Sequence, residues 1–387
     1  MWFLLVAMAI FGSSYAFVGW RLSANGGSLT QAAVWGLLAF HFFATFVSFA
    51  VLRQFGPTDS TRPLFWFVYG GMGVFSFLFS GLIFAELGWT GIRLFEWITG
   101  GTVVDEERRK FLTGALNIGV LIAAGVGGAW GFRSATGAPE VVEVDILIEG
   151  LPEDLDGFRI AQVSDLHVGP TIGAEFARGV VETVNALAPD LIALTGDFVD
   201  GSVEHLSEGV APLAELYAPE GVFFVTGNHE YYSGPVAWCR KMKDLGFKVL
   251  LNSHEVISRG TAKLLVAGVT DYGAERMLPS HRSDPLAAVA GAPECDAKIL
   301  LAHQPKSSRA AKPLAFDLQL SGHTHGGQLF PWNFLVWLAH PFTKGLYRFG
   351  SGWVYVNPGT GYWGPPMRVG VPSEVTLLTL RCPTSAV

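Results

Sequence analysis

Four long apolar stretches in the first third of the chain constrain its fold more than any other feature. None contains Asp, Glu, Lys or Arg, and each has 20 to 24 residues. They are Met1–Trp20, Leu29–Leu52, Leu64–Ala85 and Phe111–Phe132. About 20 helical residues cross a hydrocarbon core about 30 Å thick. Buried helices of a soluble protein are the alternative, but soluble helices of this length keep a polar face. We therefore predict four membrane-spanning helices within residues 1–133.

The charge balance changes after this region. Residues 1–139 carry 8 Lys/Arg and 6 Asp/Glu, a net charge of +2, whereas the remainder carries 18 and 27, a net charge of −9. An acidic domain argues against a nucleic-acid partner, because phosphate backbones require clustered Lys and Arg. The three cysteines form neither a CxxC zinc site nor a disulfide framework.

Basic loop residues predict a multi-pass protein of the cell membrane with its large domain outside the cytoplasm. Lys and Arg accumulate in cytoplasmic loops. The first and third loops carry five of them and the other side carries three. The five are Arg21, Arg93, Arg108, Arg109 and Lys110, and the three are Arg53, Arg62 and Arg133.

The segment Arg108–Thr113 resembles a twin-arginine export signal, in which paired Arg residues precede Phe-Leu and an apolar run. An ordinary basic stop at a membrane boundary is the alternative, since the usual signal is N-terminal. Whether the chain is cleaved after Arg133 is left open.

From about Val141 the pattern predicts an α/β layered domain, residues 141–387, after a linker at 134–140. Helices are predicted at Ala174–Leu187 and Pro235–Leu245. Strands are predicted at Val141–Ile148, Arg159–Val163, Leu191–Leu194, Val222–Val225, Leu264–Ala267, Ile299–Leu301, Asp317–Leu320, Trp353–Val356 and Val375–Leu380.

Polar clusters follow five of these strands, at the ends where α/β sheets bind ligands. A single His at such a place has a structural role more often than not, but five consecutive clusters of Asp, Asn and His are hard to produce by packing. The candidate metal ligands among them are Asp165, His167, Asp197, Asn228, His303, His323 and His325.

This donor set contains carboxylate, amide and imidazole but no thiolate, which suits Mn, Fe, Zn or Co. Seven ligands exceed what one open catalytic ion needs, so two divalent ions are predicted, with Asp197 bridging them. Asp165 and His167 are expected to point to one side of an extended segment and to share an ion. The pair His323 and His325 repeats this spacing.

The charge sum predicts an anionic substrate. Two divalent ions, two aspartates and a bridging hydroxide leave a charge of about +1 among neutral His and Asn side chains, which favours a phosphate. Two such metal ions lower the pKa of a bound water toward about 7, so a hydroxide can attack the phosphate without a protein nucleophile.

The leaving alkoxide needs a proton, and His229 is the candidate acid. Asp200 is the candidate to orient His229 and keep it protonated, although a turn role before Gly201 is the alternative. Asn252 and Asp271 are weaker candidates for substrate contact, since turn roles are commoner at such positions.

Two further features remain open. His41 lies inside the second apolar stretch, where it is either functional or simply packed. The aromatic stretch Phe330–Phe342 either belongs to the core or forms an apolar lip that accepts a lipid tail or touches the bilayer.

The ordered set of clusters resembles the calcineurin-like metallophosphoesterase superfamily. Over about Val141–Arg381 the chain is similar to its membrane-linked, YkuE-like subgroup, through Gly322–Gln328, Asn357–Gly361, Arg368 and Glu374–Thr376. The resemblance implies a four-layer αββα sandwich with His229 as the acid. It also implies that Asp165, His167, Asp197 and His325 hold one metal, and that Asp197, Asn228, His303 and His323 hold the other.

The predicted function is therefore that of a membrane-anchored phosphodiesterase or pyrophosphatase that attacks a lipid-linked or cell-envelope phosphate with a metal-bound hydroxide. An alternative with the same site is hydrolysis of UDP-2,3-diacylglucosamine-type pyrophosphates in lipid A synthesis, which needs cytoplasmic nucleotide. A non-catalytic binding module with a metal core is the alternative of another class, but inactive relatives usually lose ligands and none is missing here.

Overall fold

The computed structural model describes residues 2–24 and 26–383. Met1, where the first predicted span begins, and residues 384–387, where the predicted soluble domain ends, lie outside the described residues. The chain divides into two compact units. One consists of Met1–Arg133 with Gly364–Met367, and the other of Ser134–Trp363 with Arg368–Val387.

Each predicted apolar stretch lies in a long helix of the first unit. The helices are α1 (Trp2–Ser23), α2 (Ser28–Phe55), α3 (Arg62–Thr99) and α4 (Glu106–Thr136). Within the described residues, three segments are long and apolar enough to cross a membrane, namely Ser28–Leu52, Arg62–Thr99 and Glu106–Thr136. A fourth span in α1 stays a prediction.

The helices extend beyond the charge-free stretches and include charged residues that have partners. Glu86 of α3 lies 3.3 Å from Nε of Arg21 and 3.2 Å from Nη1 of Arg93. Arg21 is buried in the last turn of α1, and Arg93 lies within α3. Both residues lie in helices and not in the connecting loops where they were expected, and Arg108, Arg109 and Lys110 likewise lie in α4. The side of the membrane on which the large domain lies stays a prediction.

His41 of α2 is packed within the helical unit. Its Nδ1 lies 2.6 Å from the hydroxyl of Tyr15, and its Nε2 lies 3.1 Å from the carbonyl oxygen of Val68. Both ring nitrogens have partners, as expected of a packed histidine.

The second unit contains two six-stranded sheets among its described residues. The first has the order β1-β12-β2-β3-β4-β5, and the second has the order β10-β11-β9-β8-β7-β6. The strands are β1 (Glu140–Leu147), β2 (Arg159–Val163), β3 (Leu191–Leu194), β4 (Val222–Phe224), β5 (Lys248–Val249), β6 (Ser253–Arg259), β7 (Ala262–Gly268), β8 (Ala297–Leu301), β9 (Leu318–Ser321), β10 (Gly345–Phe349), β11 (Gly352–Val356) and β12 (Glu374–Arg381).

The second unit has seven α-helices among its described residues, and all but the last of them contain buried residues. They are α5 (Ala174–Ala186), α6 (Val203–Val210), α7 (Asn228–Ser233), α8 (Pro235–Asp244), α9 (Pro285–Ala288), α10 (Ser307–Ala311) and α11 (Asn333–Ala339). In β3, Leu191 and Ala193 join the core between the sheets, whereas Ile192 and Leu194 pack in the core that contains residues of α5, α6 and α8. This alternation, with period two, produces the layers. The predicted four-layer sandwich is confirmed.

Three strands, β5, β6 and β10, were not predicted from the sequence pattern. β6 is an edge strand in which Ile257 alone is buried, so it lacks the apolar alternation of the central strands. The predicted linker also shortens, because α4 continues to Thr136 and only residues 137–139 separate it from β1.

Candidate metal centre

The polar clusters follow the carboxyl ends of β2, β3 and β4 in one sheet and of β8 and β9 in the other. Residues of these clusters lie close together in the structure. Within the described residues, three groups of side chains have ligand atoms within 4.8 Å of one another. The groups are Asp165 with His167 and His325, His167 with Asp197 and His229, and Asp197 with His303 and His323. The shared members, His167 and Asp197, connect the three groups into one centre.

The loops that carry the candidate ligands were expected to be extended. Their backbone is instead left-handed at five of these residues. Positive φ angles occur at Asp165 (53°), His167 (53°), Asp197 (57°), His323 (73°) and His325 (50°). Non-glycine residues rarely adopt this conformation, and it persists only where the surroundings enforce it. In each pair, two left-handed residues separated by one residue, rather than strand periodicity, direct the side chains into the centre.

The first cluster lies around Asp165, which is completely buried. Its Oδ1 is 3.3 Å from Nε2 of His325, and that nitrogen is 3.0 Å from Nε2 of His167. The backbone N–H of His323 donates to both oxygens of Asp165 at 3.0 Å. Burial raises the pKa of the Asp165 carboxyl. A cation bound nearby would act in the opposite direction and favour the ionised carboxylate.

The second cluster lies around Asp197. The Nδ1–H of His303 donates to the carbonyl oxygen of Thr195 at 2.8 Å, so in the neutral ring Nε2 carries the lone pair. That Nε2 is 3.0 Å from Oδ2 of Asp197 and 3.2 Å from Nδ1 of His323. Acceptor atoms at these distances repel one another unless a cation or a proton lies between them.

Asn228, a further predicted ligand, lies between Gly227 and His229, both of which contact Asp197. Its Oδ1 is buried and has no hydrogen-bond partner among the described residues. An amide oxygen left without a partner inside a protein costs about 1–3 kcal/mol. A divalent ion would satisfy it, because an amide oxygen is a suitable ligand for such an ion.

Two of the candidate ligands are held neutral. Burial and the neighbouring His303 lower the pKa of His323 to about 3. Burial, together with His167 and Arg368, lowers the pKa of His325 well below its ordinary value. The neutral ring is the form of histidine that binds metals.

His229 has the opposite character. Burial acts to lower its pKa, but the hydrogen bond to Asp200 and the charges of Asp197 and Asp200 outweigh that effect and raise the pKa to about 9. Its Nδ1 lies 2.5 Å from Oδ1 of Asp200, and its Nε2 lies 4.0 Å from Oδ2 of Asp197. The structure therefore places a protonated imidazole beside the predicted bridging carboxylate.

Asp200 has a second partner. The same Oδ1 lies 3.1 Å from Nδ1 of His167 and accepts its proton, which leaves Nε2 of His167 free to face His325. Burial raises the pKa of Asp200, but its contacts with His167 and His229 outweigh this and hold the pKa well below the ordinary range. One carboxylate thus orients both a candidate ligand and the candidate acid.

Sequence reasoning missed the part played by Glu230. This buried carboxylate accepts the backbone N–H groups of Asp197 (3.0 Å), Phe198 (2.7 Å) and Gly227 (2.6 Å). It therefore holds together the two loops that carry Asp197 and Asn228. The available signal was a Glu at the third position of a helix that starts after Gly227, the pattern of a capping box.

Arg368 is a second positioning residue. Its guanidinium is completely buried and donates to the carbonyl oxygens of Pro358 (3.0 Å) and Gly361 (2.6 Å), and it lies 3.3 Å from Nδ1 of His325. Arg368 belongs to a sequence motif, but no role was predicted for it. Its burial supports the loop behind the first cluster.

Two aromatic side chains flank His229. The rings of Tyr232 and Trp363 lie 5.3 Å and 5.8 Å from its ring, and both are exposed. Gln328 fixes the backbone of Trp363, because its amide donates to the carbonyl oxygen and accepts from the N–H, both at 3.0 Å. The Trp363 side chain is thus held beside the candidate acid.

The weaker candidates have local partners. Asn252 donates to the carbonyl oxygen of Arg282 at 2.8 Å and accepts from the N–H of Asp284 at 2.9 Å. Asp271 is buried and accepts from the N–H of Gly273 (2.7 Å) and from Gln304 (2.9 Å). These contacts match turn roles, and substrate contact by either residue stays a prediction.

Residues 158–327 match the profile of a family described as calcineurin-like phosphoesterase. A Danio rerio protein named "Transmembrane protein with metallophosphoesterase domain" is 40% identical over 270 residues, which cover 67% of this chain and 62% of that protein. An "Uncharacterized metallophosphoesterase" of Helicobacter pylori is 38% identical over 71% of this chain and 72% of its own length. The Bacillus subtilis "Uncharacterized metallophosphoesterase YkuE" is 32% identical over 71% of this chain and 98% of its own length. The chain thus spans less than two thirds of the Danio rerio relative.

Proposed function

Because the chain belongs to the calcineurin-like phosphoesterase family, whose members are metal-dependent phosphoric ester hydrolases, we propose that it is a membrane-anchored phosphodiesterase or pyrophosphatase with two divalent ions. One observation carries the proposal. Potential ligand atoms of Asp197, His303 and His323 converge within 4.8 Å of one another, next to a protonated His229.

The proposed ligand sets share Asp197. Asp165, His167 and His325 would complete one set, and Asn228, His303 and His323 the other. Divalent ions bound there supply Lewis-acid activation of the phosphate and of the attacking water. With neutral imidazoles around two ions, the centre keeps a positive charge that favours an anionic phosphate.

The chain itself supplies a proton and orientation. Asp200 accepts the Nδ1–H of His229, which fixes the ring and leaves the Nε2–H for the substrate. As the bond between phosphorus and the leaving oxygen breaks, the Nε2 proton passes to that oxygen. Tyr232 and Trp363, beside the same ring, are placed to contact the leaving group.

We further propose that the substrate is a lipid-linked or cell-envelope phosphate outside the cytoplasm. Three candidate membrane spans precede the catalytic unit, and the described linker to it contains only residues 137–139. Such an anchor keeps the centre close to a membrane surface.

Hydrolysis by the purified full chain tests the reaction. With Mn²⁺, the chain should cleave a chromogenic bis-aryl phosphate, and Asp197→Ala should abolish cleavage because both ion sites lose a ligand. Asp244→Ala, an exposed carboxylate at the end of α8, is the matched control and should keep full activity. Equal rates for wild type and Asp197→Ala would contradict the proposal.

A reporter at the C-terminus tests the location. Alkaline phosphatase fused there should be active, since it folds only outside the cytoplasm. An active green fluorescent protein fusion and an inactive phosphatase fusion would instead leave the UDP-diacylglucosamine alternative open, because its nucleotide substrate is cytoplasmic.

A further inference from the structure

An apolar ridge follows the metal-binding loop. We define the α11 ridge as five side chains that are 45% to 86% exposed, namely Phe330, Phe334, Leu335, Trp337 and Leu338. The centre of the Phe334 ring lies 5.9 Å from that of Phe330 and 5.2 Å from that of Trp337, so the three aromatic residues form one row. No described residue of α11 is buried. The core alternative for this stretch therefore does not hold for the helix itself.

The segment around the ridge has no charged residues, which is unusual in this acidic unit. Residues 318–343 contain no Asp, Glu, Lys or Arg, and the first charge after them is Lys344. Asp317 precedes the segment and Lys344 follows it, so the charged residue nearest to α11 in the sequence is a cation, although the unit carries a net charge of −9.

We propose that the α11 ridge lies in the interfacial layer of the lipid bilayer that anchors this chain. Aromatic and leucine side chains with a lysine close by in the sequence are typical of helices that lie in a membrane surface. The cation of Lys344 complements the anionic headgroups of such a surface. α11 is about 10 Å long, too short to span the hydrocarbon core, so it lies on the membrane rather than across it.

A bilayer fits the ridge better than a protein partner does. Protein interfaces surround their apolar centre with a polar, hydrogen-bonding rim, whereas this segment has no charged residue over its whole length. The candidate membrane spans of the same chain would also keep a bilayer close to the ridge. Three residues separate the candidate span in α4 from β1, and they extend to about 10 Å.

The residue that follows the ridge helix lies next to a ligand of the candidate metal centre. α11 ends at Ala339, and the ring of the next residue, His340, lies 5.4 Å from the ring of His323. A ridge in the bilayer would hold the centre at the height of lipid headgroups. That consequence for substrate delivery rests on the proposed function, whereas the lipid contact itself does not depend on any reaction.

Site-specific fluorescence on the full chain tests the contact. Cys295 and Cys382 are replaced by Ser, and an environment-sensitive label is attached at Leu338→Cys. The matched control is Leu286→Cys in α9, which is exposed to 68% in the same unit. Both proteins are reconstituted into vesicles of phosphatidylcholine and phosphatidylglycerol, and the label is quenched with doxyl lipids or with iodide.

The label at position 338 should emit at shorter wavelength, should be quenched by doxyl lipids and should be protected from iodide. The label at 286 should respond to iodide alone. Equal iodide quenching at both positions would overturn the proposal, because the ridge would then face water. Protection of position 338 from both quenchers would also overturn it, because a protein surface would then cover the ridge. Hydrolytic activity is not the readout, so failure here and failure of the proposed function are distinguishable.

Discussion

At the scale of single residues, the centre depends on backbone conformations that most side chains avoid. Five of the seven candidate ligands have positive φ angles. Each such residue costs of order 1–3 kcal/mol, which the surrounding contacts must supply. Glu230 supplies three of these contacts in the loops around Asp197. The geometry of the ligands is therefore held by residues that do not bind the ions themselves.

Replacing the candidate acid should affect substrates according to their leaving group. His229→Gln removes the Nε2 proton but keeps the backbone N–H that donates to Asp197 at 2.8 Å. We expect kcat to fall about 10²- to 10⁴-fold for alkyl phosphodiesters. It should change little for nitrophenyl esters, whose leaving group needs no proton. Rates across a series of leaving groups measure this, and metal content by mass spectrometry is the control. Equal losses for both substrates would argue against an acid role.

At the scale of elements, the turns after the strands determine how close the two sheets bring their ligands. Gly196, with φ of 90°, and Gly227 follow β3 and β4 and are in contact. A Cβ at Gly196 would lie 2.5 Å from the backbone nitrogen of Gly227. Glycine at both positions allows the loops that carry Asp197 and Asn228 to meet.

Gly227→Ala should disrupt the centre. The new Cβ would lie 2.1 Å from Oδ1 of Asp197 and 2.5 Å from its backbone nitrogen, so the bridging carboxylate must move. We expect loss of metal and of hydrolysis. Gly179→Ala is the matched control, because this position in α5 is exposed and has open space. There alanine stabilises the helix by up to about 1 kcal/mol. A Gly227→Ala protein with normal metal content and activity would refute the expected clash.

In the helical unit, the ion pair between α1 and α3 makes a separate prediction. Glu86→Leu leaves the buried Arg21 without this partner, which costs about 3–5 kcal/mol. The double variant Arg21→Met with Glu86→Leu removes both charges and should recover most of that loss. Thermal unfolding of the full chain in detergent measures both. Equal destabilisation by the single and double variants would show that the pair is not coupled.

At the scale of the whole molecule, bound ions should link function to the stability of the catalytic unit. Asp165 and Asp197 are buried together at one end of the two sheets, and their charges lie close to each other. Ions that bind only the folded state stabilise it by an amount that depends on concentration over Kd, about 4 kcal/mol at a thousandfold excess.

Chelation should therefore lower the unfolding temperature of the catalytic unit by several degrees, and added Mn²⁺ should restore it. Scanning calorimetry of the full chain, with and without chelator, measures the shift. Asp197→Ala is the control and should respond weakly to both treatments. An identical shift in wild type and variant would assign the effect to ions bound elsewhere.

The sequence by itself determined the parts of this protein that depend on local pattern. Charge-free stretches of 20 to 24 residues predicted the long helices, and β2 and β3 begin and end where the β-branched runs do. The order of Asp, Asn and His after the strands identified the family, which the comparisons confirm. Periodicity and strand ends are short-range properties, so they can be read without the fold.

Only the tertiary structure decided the contacts between residues that are distant in the sequence. It placed Arg21 against Glu86 inside the helical unit, and it joined His167 and His229 through Asp200. It also gave the ligand loops their left-handed backbone and left the α11 ridge exposed. Strand pairing and side-chain packing set these features, because the sequence pattern of an apolar helix is the same whether protein, water or lipid covers it.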